Sequence, residues 1–419
     1  MDDKGVLILA NRYNVDSSAN GICIKNVANE MVTRGIKVIV ISDRFNGEPG
    51  DEIINNVEVK KIPVAFSKAI QKSIHDKQGF LKYACSVINS MKKAISIIFY
   101  PDISPLRSRR LYMYSREIIE KEKINHILCV YRPYDTIKAG LLLKQKYKNK
   151  ITLTTYHLDV LTSSNNKNGL ISSIKKNKGR KAFLKETRTV DKMILPLSEK
   201  KDERFNRGDL NIAYADFPLF VVQKETKCEL PYDDKCISLV YIGSLDKKNR
   251  NPIPLVELLE QIIQTRGLKI KVYIWGSIEK ELAKELATYK FVGQYGIISN
   301  KFVPYAYKKA NILINISNSI TADMVPSKIF QLFSTGKPII NYVFDENDVS
   351  LPYFTEYRHS FNVLKMTRKE NTLSELADYI SYEKNMNYRI DEALFKYATP
   401  QYLVDEIVTK NKDIKNEDC

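Results

Sequence analysis

Two polar side chains eight residues apart, Asp323 and Gln331, bracket a loop-to-helix junction in the stretch DMVPSKIFQLFSTGKPII at 323–340. Proline is tolerated in the first turn of a helix, where its missing N–H has no partner to lose, and glycine is the usual terminator. The stretch therefore predicts a loop, a short helix opened by Pro326, a stop at Gly336, and then a buried strand. A helix start offers unpaired N–H groups and partial positive charge, which suit an anion such as a diphosphate. Met324, Val325, Ser327 and Lys328 line that junction, and Ser317, Asn318 and Thr321 are further donors in the loop before it. Gln331, about one turn inside, is placed to reach the sugar joined to the phosphate. The chemistry these residue types suit is nucleotide binding.

Other groups able to do chemistry fall at the ends of apolar runs. Gly243-Ser244 closes one run and is followed by Lys247, Lys248 and Arg250, cations able to pair with phosphate. Gly276-Ser277 closes another, and Asn20-Gly21 ends the polar loop after the first. His157 follows the apolar run at 151–156, with Asp159 two residues on. The acidic run Asp345 to Asp348 follows a strand and reads as a polar loop, and the six cysteines show no Cys-x-x-Cys pair. Neither a structural zinc site nor a disulfide framework is indicated, which favours a reducing cytoplasm.

The elements that must position these groups alternate. Residues 6–10 form a short continuous apolar run, as in a strand buried on both faces. Ile24, Val27, Ala28, Met31 and Val32 then mark one face of a helix, Arg34-Gly35 closes it, and 37–41 is a second strand. Strand, helix and strand within forty residues is a βαβ unit and implies a parallel sheet. Further strands are expected at 57–62, 126–130, 151–156 and 192–197. A second series begins after Asp216-Phe-Pro218, with strands at 236–242, 269–275, 291–293 and 311–316 and helices at 254–264, 279–289 and 303–310. The reading is α/β, with two Rossmann-like doubly wound domains facing a central cleft. Its boundaries are 1–215, 216–395, and a helical tail at 396–419 that returns toward the first domain.

Charge is divided unequally between the two. The chain of 419 residues carries +17, and residues 1–200 hold 36 Lys and Arg against 19 Asp and Glu, whereas 201–419 hold 30 of each. A basic half points to an anionic partner. Residues 66–74 and 79–93 read as basic amphipathic helices, which either lie on an anionic membrane surface or pack on the first sheet with their lysines outward. The basic half shows no helix-turn-helix, zinc or base-stacking signature, which argues against nucleic acid. No run approaches the roughly 20 apolar residues of a membrane span, and the start of the chain lacks the pattern of a signal peptide.

These motifs, taken in order, resemble the retaining GT-B glycosyltransferases, most closely glycosyltransferase family 4. The resemblance runs through nearly the whole chain and includes YIGSL at 241–245, KVYIWGS at 271–277, YKKANILINIS at 307–317 and, most specifically, PSKIFQLFSTGKPII at 326–340. It implies transfer of a sugar from a nucleotide-sugar, held mainly by the second domain, to an acceptor held mainly by the first. The family's two glutamates correspond to Asp323, near the donor sugar, and Gln331, on the ribose. Arg250 would supply diphosphate charge, where the family often has an Arg at Ser244. Gly21 would lie where the donor phosphate nears the backbone, and His157 where a histidine meets the transferred sugar. His157, Arg250 and Asp323 are thus the expected catalytic residues, with Gly243, Ser244, Lys247, Lys248 and Gly276 among the binding ones. No metal or other cofactor is expected. The implied setting is surface polysaccharide assembly, such as capsule or exopolysaccharide, on a lipid-linked acceptor at the inner face of the cell membrane. A catalytically silent homologue acting as a partner subunit, and a nucleotide-sugar epimerase of the same fold, are the alternative readings.

Overall fold

The structure, a computed structural model, describes residues 5–13, 19–44, 48–63, 99–102, 105–158, 170–201, 210–221, 225–319, 325–365, 371–390 and 392–409. The basic segments at 66–74 and 79–93 lie outside them. The chain divides into two compact units, Met1–Pro218 with Tyr397–Cys419, and Leu219–Lys396.

The first unit runs β1 (Val6–Leu9), α1 (Ala19–Thr33), β2 (Val38–Arg44), β3 (Glu52–Ile54), β4 (Val57–Pro63), α2 (Pro105–Glu122), β5 (His126–Tyr131), α3 (Tyr134–Tyr147), β6 (Thr152–His157), α4 (Leu170–Thr187), β7 (Lys192–Leu195) and β8 (Ile212–Tyr214). Its sheet has the order β3-β4-β2-β1-β5-β6-β7-β8, parallel except for the β3–β4 hairpin. Asn55 and Asn56 make that two-residue hairpin turn at φ 50 and 63, the left-handed pair that asparagine tolerates and that matches strand twist. β1 is buried along its whole length, as a strand covered on both faces must be. Ile24, Val27, Ala28 and Met31 of α1 are fully enclosed, and Gly35 at φ 75 ends the turn after that helix. One expectation needs correction: Asn20 and Gly21 belong to the first turn of α1 rather than to the loop before it. Glycine permits a turn but does not impose one.

The second unit runs β9 (Ile237–Ile242), α5 (Ile253–Arg266), β10 (Ile270–Trp275), α6 (Lys280–Leu286), β11 (Val292–Gln294), α7 (Val303–Lys309), β12 (Ile312–Ile316), α8 (Lys328–Phe333), β13 (Ile339–Val343), α9 (Leu351–Tyr357), β14 (Ser360–Leu364) and α10 (Thr372–Glu383). The sheet order β11-β10-β9-β12-β13-β14 is that of a doubly wound Rossmann domain, and every pairing is parallel. Leu239, Val272, Ile274, Ile312, Ile314 and Ile340 form its core, and truncating any one of them to alanine should cost about 2–5 kcal/mol. Across this apolar sheet runs one polar row. Asn315, Asn341 and Asn362 are register partners on β12, β13 and β14, each amide donating to the next at 2.8 Å. A one-residue slip would strand three amides, so the row fixes the register.

The last helix, α11 (Pro400–Val408), belongs to the first unit and packs on α1. Leu403, Val404 and Ile407 are buried, Arg34 of α1 pairs with Asp405, and Lys192 meets Glu406 at 2.6 Å.

Candidate functional site

In a doubly wound sheet, strand order reverses beside the first strand, and the loops there splay apart to leave a crevice. In the second unit that point lies between β9 and β12. The loop after β9 carries Gly243 to Arg250, and the loop after β12 begins at Ser317. The two loops are bonded across the reversal. Arg250 Nε donates to Asn318 Oδ1 at 2.6 Å, Ser319 N donates to Asn249 O at 2.9 Å, and Ser319 Oγ donates to Lys248 O at 2.7 Å. Arg250 also hydrogen-bonds the phenol of Tyr241, which donates to Ser244 O at 3.1 Å. Burial pushes that phenol up to about 12, with Arg250 pulling the other way.

A second cation converges on the same place. Lys328, at the start of α8, donates from Nζ to the carbonyl of Ile242, the last residue of β9, at 2.9 Å. Its side chain stays open to solvent, yet the protein crowding its ammonium, and then the Arg250 charge, bring it down to about 8. Among the described residues, no carboxylate lies within ion-pair distance of Arg250 or Lys328. α8 explains why Lys328 and Gln331 belong together. Ile329, Phe330, Leu332 and Phe333 are its buried side, which leaves Lys328 and Gln331, three apart, on the outward one. Two adjacent cations without a carboxylate partner suit an anion of two charges or more.

The glycines do a different job. Gly276 sits at φ 139, and a Cβ there would stand 1.9 Å from the Gly243 carbonyl oxygen. Its own N–H donates to Gly296 O at 2.6 Å. The ends of β9 and β10 therefore touch through backbone alone, which only glycine permits. Ser244 is exposed, and Val325 is buried just ahead of α8. The helix itself starts at Lys328, with Ser327 as its N-cap, two residues later than Pro326. Lys247 is turned away from the crevice: Nζ lies 2.6 Å from Glu285 of α6, and its N–H donates to Glu279. Lys248 is exposed beside it. Ser317 is buried and its hydroxyl accepts from Phe344 N, so it is a structural group. Thr321, Asp323 and Met324 lie outside the described residues.

In the first unit, His157 ends β6 but is 1% exposed, with Nε2 2.6 Å from Oε1 of the buried Glu186 on α4. Tyr131 and Phe183 cover the ring, at 5.1 and 6.4 Å between centroids. The expectation of an open histidine meeting a sugar is thus corrected: in this structure the ring is enclosed and partnered. Nearby, Arg107 Nε donates to Asp43 at 3.0 Å, and its Nη1 lies 3.8 Å from Asp135. Burial raises the Asp43 pKa, and Arg107 offsets part of that. Sequence reasoning missed Glu186 and the Arg107 cluster, because each acts through a partner far along the chain, and Tyr241, because a phenol within an apolar strand reads as core.

Two Rossmann-like domains, each built on a largely parallel sheet, make this the fold of the GT-B glycosyltransferases. Solved structures of similar fold include WaaG, a glycosyltransferase involved in lipopolysaccharide biosynthesis (TM-score 0.55, 10% identity, covering 97% of this chain and 100% of that one). A second is a mutant of S. aureus TarM in complex with Fondaparinux, alpha-GlcNAc-glycerol and UDP (0.55, 10%, 97% and 96%). A third is a glycosyltransferase from Rickettsia africae (0.54, 14%, 97% and 94%). No family model and no curated protein matches the chain.

Proposed function

We propose that the protein is a glycosyltransferase that moves a sugar from a nucleotide-sugar to a lipid-linked oligosaccharide, with retention of configuration, in surface polysaccharide biosynthesis. The observation that carries the reading is the pair Arg250 and Lys328 at the strand-order reversal of the second unit, two cations without a carboxylate partner among the described residues. They would receive the donor's diphosphate. Gln331, on the outward side of α8, would meet the ribose, and Asp323 the donor sugar's hydroxyls. The fold of proteins such as WaaG and TarM supports the class of reaction.

In the proposed step the bond from the anomeric carbon to the diphosphate oxygen breaks. The acceptor oxygen bonds to that carbon on the same face, and its proton passes to the departing diphosphate. Charge develops on the leaving group, and stabilising such charge is usually the largest catalytic contribution. Arg250 supplies it through a guanidinium already held in place by Asn318 and Tyr241. Two protein cations fill the role a divalent ion has elsewhere, so no metal enters the reading. Among the described residues no helix is long and apolar enough to cross a membrane. A lipid-linked acceptor would then be met from the membrane surface, at its inner face.

Calorimetric titration with a panel of nucleotides and nucleotide-sugars, followed by transfer of labelled sugar to a membrane lipid extract, tests the reading. Binding of one nucleoside diphosphate and transfer of its sugar is expected. Failure to bind any would leave a silent homologue.

A further inference from the structure

A lysine attacks an electrophile only as the neutral amine, so its surroundings decide whether it reacts at all. The ammonium has to be disfavoured, and the nitrogen has to be open to a reagent. Lys247 fails the first condition: Glu285 lies 2.6 Å from its Nζ and holds the ammonium above the ordinary lysine range. Lys337 fails the second. Burial brings its ammonium down, but the residue is 8% exposed. Lys328 meets both. It is open to solvent, and the protein crowding its ammonium, then the Arg250 charge, bring it down to about 8. At about pH 7.5 such an amine is neutral in roughly one molecule in four, against roughly one in a thousand for an ordinary lysine. A weaker base is a weaker nucleophile, which offsets part of that gain.

The neighbours of the amine select the electrophile. Nζ donates to the carbonyl of Ile242 at 2.9 Å, which anchors one side of the nitrogen and leaves its lone pair free. The same carbonyl stabilises the positive charge that the nitrogen gains as it attacks. Arg250 is held through Nε by Asn318 at 2.6 Å, so its other guanidinium nitrogens keep a fixed aim. They are donors matched to phosphate oxygens. A reagent drawn to this pair therefore carries phosphate, with its reactive carbon close to that phosphate. Acyl phosphates have this form, because one oxygen joins their carbonyl carbon to phosphorus. A thioester on a large nucleotide carrier does not: with its diphosphate on Arg250, the acyl carbon would lie a long arm away.

We propose that Lys328 is a site of acylation by small acyl phosphates, a modification that switches off nucleotide-sugar binding. The proposal rests on reading Arg250 and Lys328 as the receivers of phosphate. In the step, neutral Nζ attacks the acyl carbon and a nitrogen–carbon bond forms. The bond from that carbon to the bridging oxygen breaks, and its electron pair leaves with the phosphate. One Nζ proton passes to the departing phosphate, whose charge Arg250 stabilises, and nothing is oxidised or reduced. The product is a neutral amide and inorganic phosphate. Arg250 then faces a diphosphate alone, and donor affinity should fall about 10–100-fold, the range for losing one hydrogen bond to a charged group. Donor and acyl phosphate compete for the same two cations, so the modification falls on the idle protein and spares the occupied one.

The test is incubation of the full chain with acetyl phosphate, followed by peptide mass spectrometry that reads the acetylated fraction at each lysine. Lys328 is expected to react about tenfold faster than Lys247 and Lys248, or more. Inorganic pyrophosphate should protect it, and Arg250→Ala should slow it. With N-hydroxysuccinimidyl acetate, which carries no phosphate, the preference for Lys328 should shrink. Calorimetric titration with nucleoside diphosphates should show the same loss of affinity in the acetylated chain and in Lys328→Gln. Selective, pyrophosphate-sensitive acetylation of a chain that binds no nucleoside diphosphate would support the acylation and count against the transferase reading instead. Equal acetylation of Lys328, Lys247 and Lys248 would overturn the proposal. So would a rate that pyrophosphate leaves unchanged, or full nucleotide affinity in a chain acetylated at Lys328.

Discussion

Arg250 Nε stands 2.6 Å from Asn318 Oδ1, although the two residues are 68 positions apart and on opposite sides of the strand-order reversal. The bond spends one face of the guanidinium on orientation, so its remaining nitrogens have a fixed aim. Such preorganisation is what lets a charge act on a leaving group without first rearranging.

Arg250→Ala should therefore lower kcat by about 10²–10³-fold. Gln331→Ala should weaken donor binding by under about tenfold, the worth of one neutral hydrogen bond. Asn318→Ala should fall between, since it frees the guanidinium without removing it, and Arg250→Lys should not restore activity, because an ammonium lacks the fork. Steady-state kinetics on the four variants checks the order. An Arg250→Ala enzyme with unchanged kcat would reject the assignment.

If Lys328 receives the donor's diphosphate, binding should depend on pH. Its ammonium, brought down to about 8, is charged at neutral pH and loses its proton as pH rises past that value in the free protein. A bound diphosphate favours the charged form, so above this range binding must take up a proton and affinity must fall. Titrations at about pH 9 in buffers of different ionisation enthalpy should give different apparent heats. Lys328→Met should remove the difference.

If the two cations serve where a divalent ion would, chelation should leave transfer unaffected. Activity before and after dialysis against EDTA should agree. A loss restored by magnesium or manganese would contradict this.

Gly276→Ala should destabilise the second unit by about 2–4 kcal/mol, because the new methyl meets backbone rather than a movable side chain. A lower denaturant midpoint with an unchanged m-value would show it. Gly267, at φ 63 with open space around its missing Cβ, should tolerate alanine better, by about 1 kcal/mol or more.

His157 and Glu186 predict a stability effect. Glu186→Leu leaves a buried imidazole without its partner, and should destabilise by about 3 kcal/mol or more. Replacing both, His157→Phe with Glu186→Leu, should recover part of that. Thermal unfolding of the single and double variants checks the coupling.

Much of the architecture is legible in the residues, for a physical reason. Parallel strands covered on both faces must be continuous apolar runs, so β1, β9, β10 and β12 stand out within one or two residues of their ends. The glycine stop after α1 is equally plain. β3 escapes notice because a three-residue edge strand with one outward isoleucine has no periodicity to read. α4 hides for the opposite reason: its outward side is so rich in lysine that the apolar side is thin. In the candidate site, Arg250, Lys328 and Gln331 are readable because charge and spacing mark them. Asn318 as the partner of Arg250, and Glu186 as the partner of His157, follow only from strand order, which no local window contains.

The helix α11 has a consequence for how the molecule is made. Residues 219–396 are an insertion within the first unit, whose closing piece is translated only after them. Until α11 arrives, the flank of α1 that meets Leu403, Val404 and Ile407 has nothing to cover it, and Arg34 lacks Asp405. On the ribosome the inner unit is therefore the one free to mature first. The outer one stays unfinished for as long as the synthesis of its insert lasts.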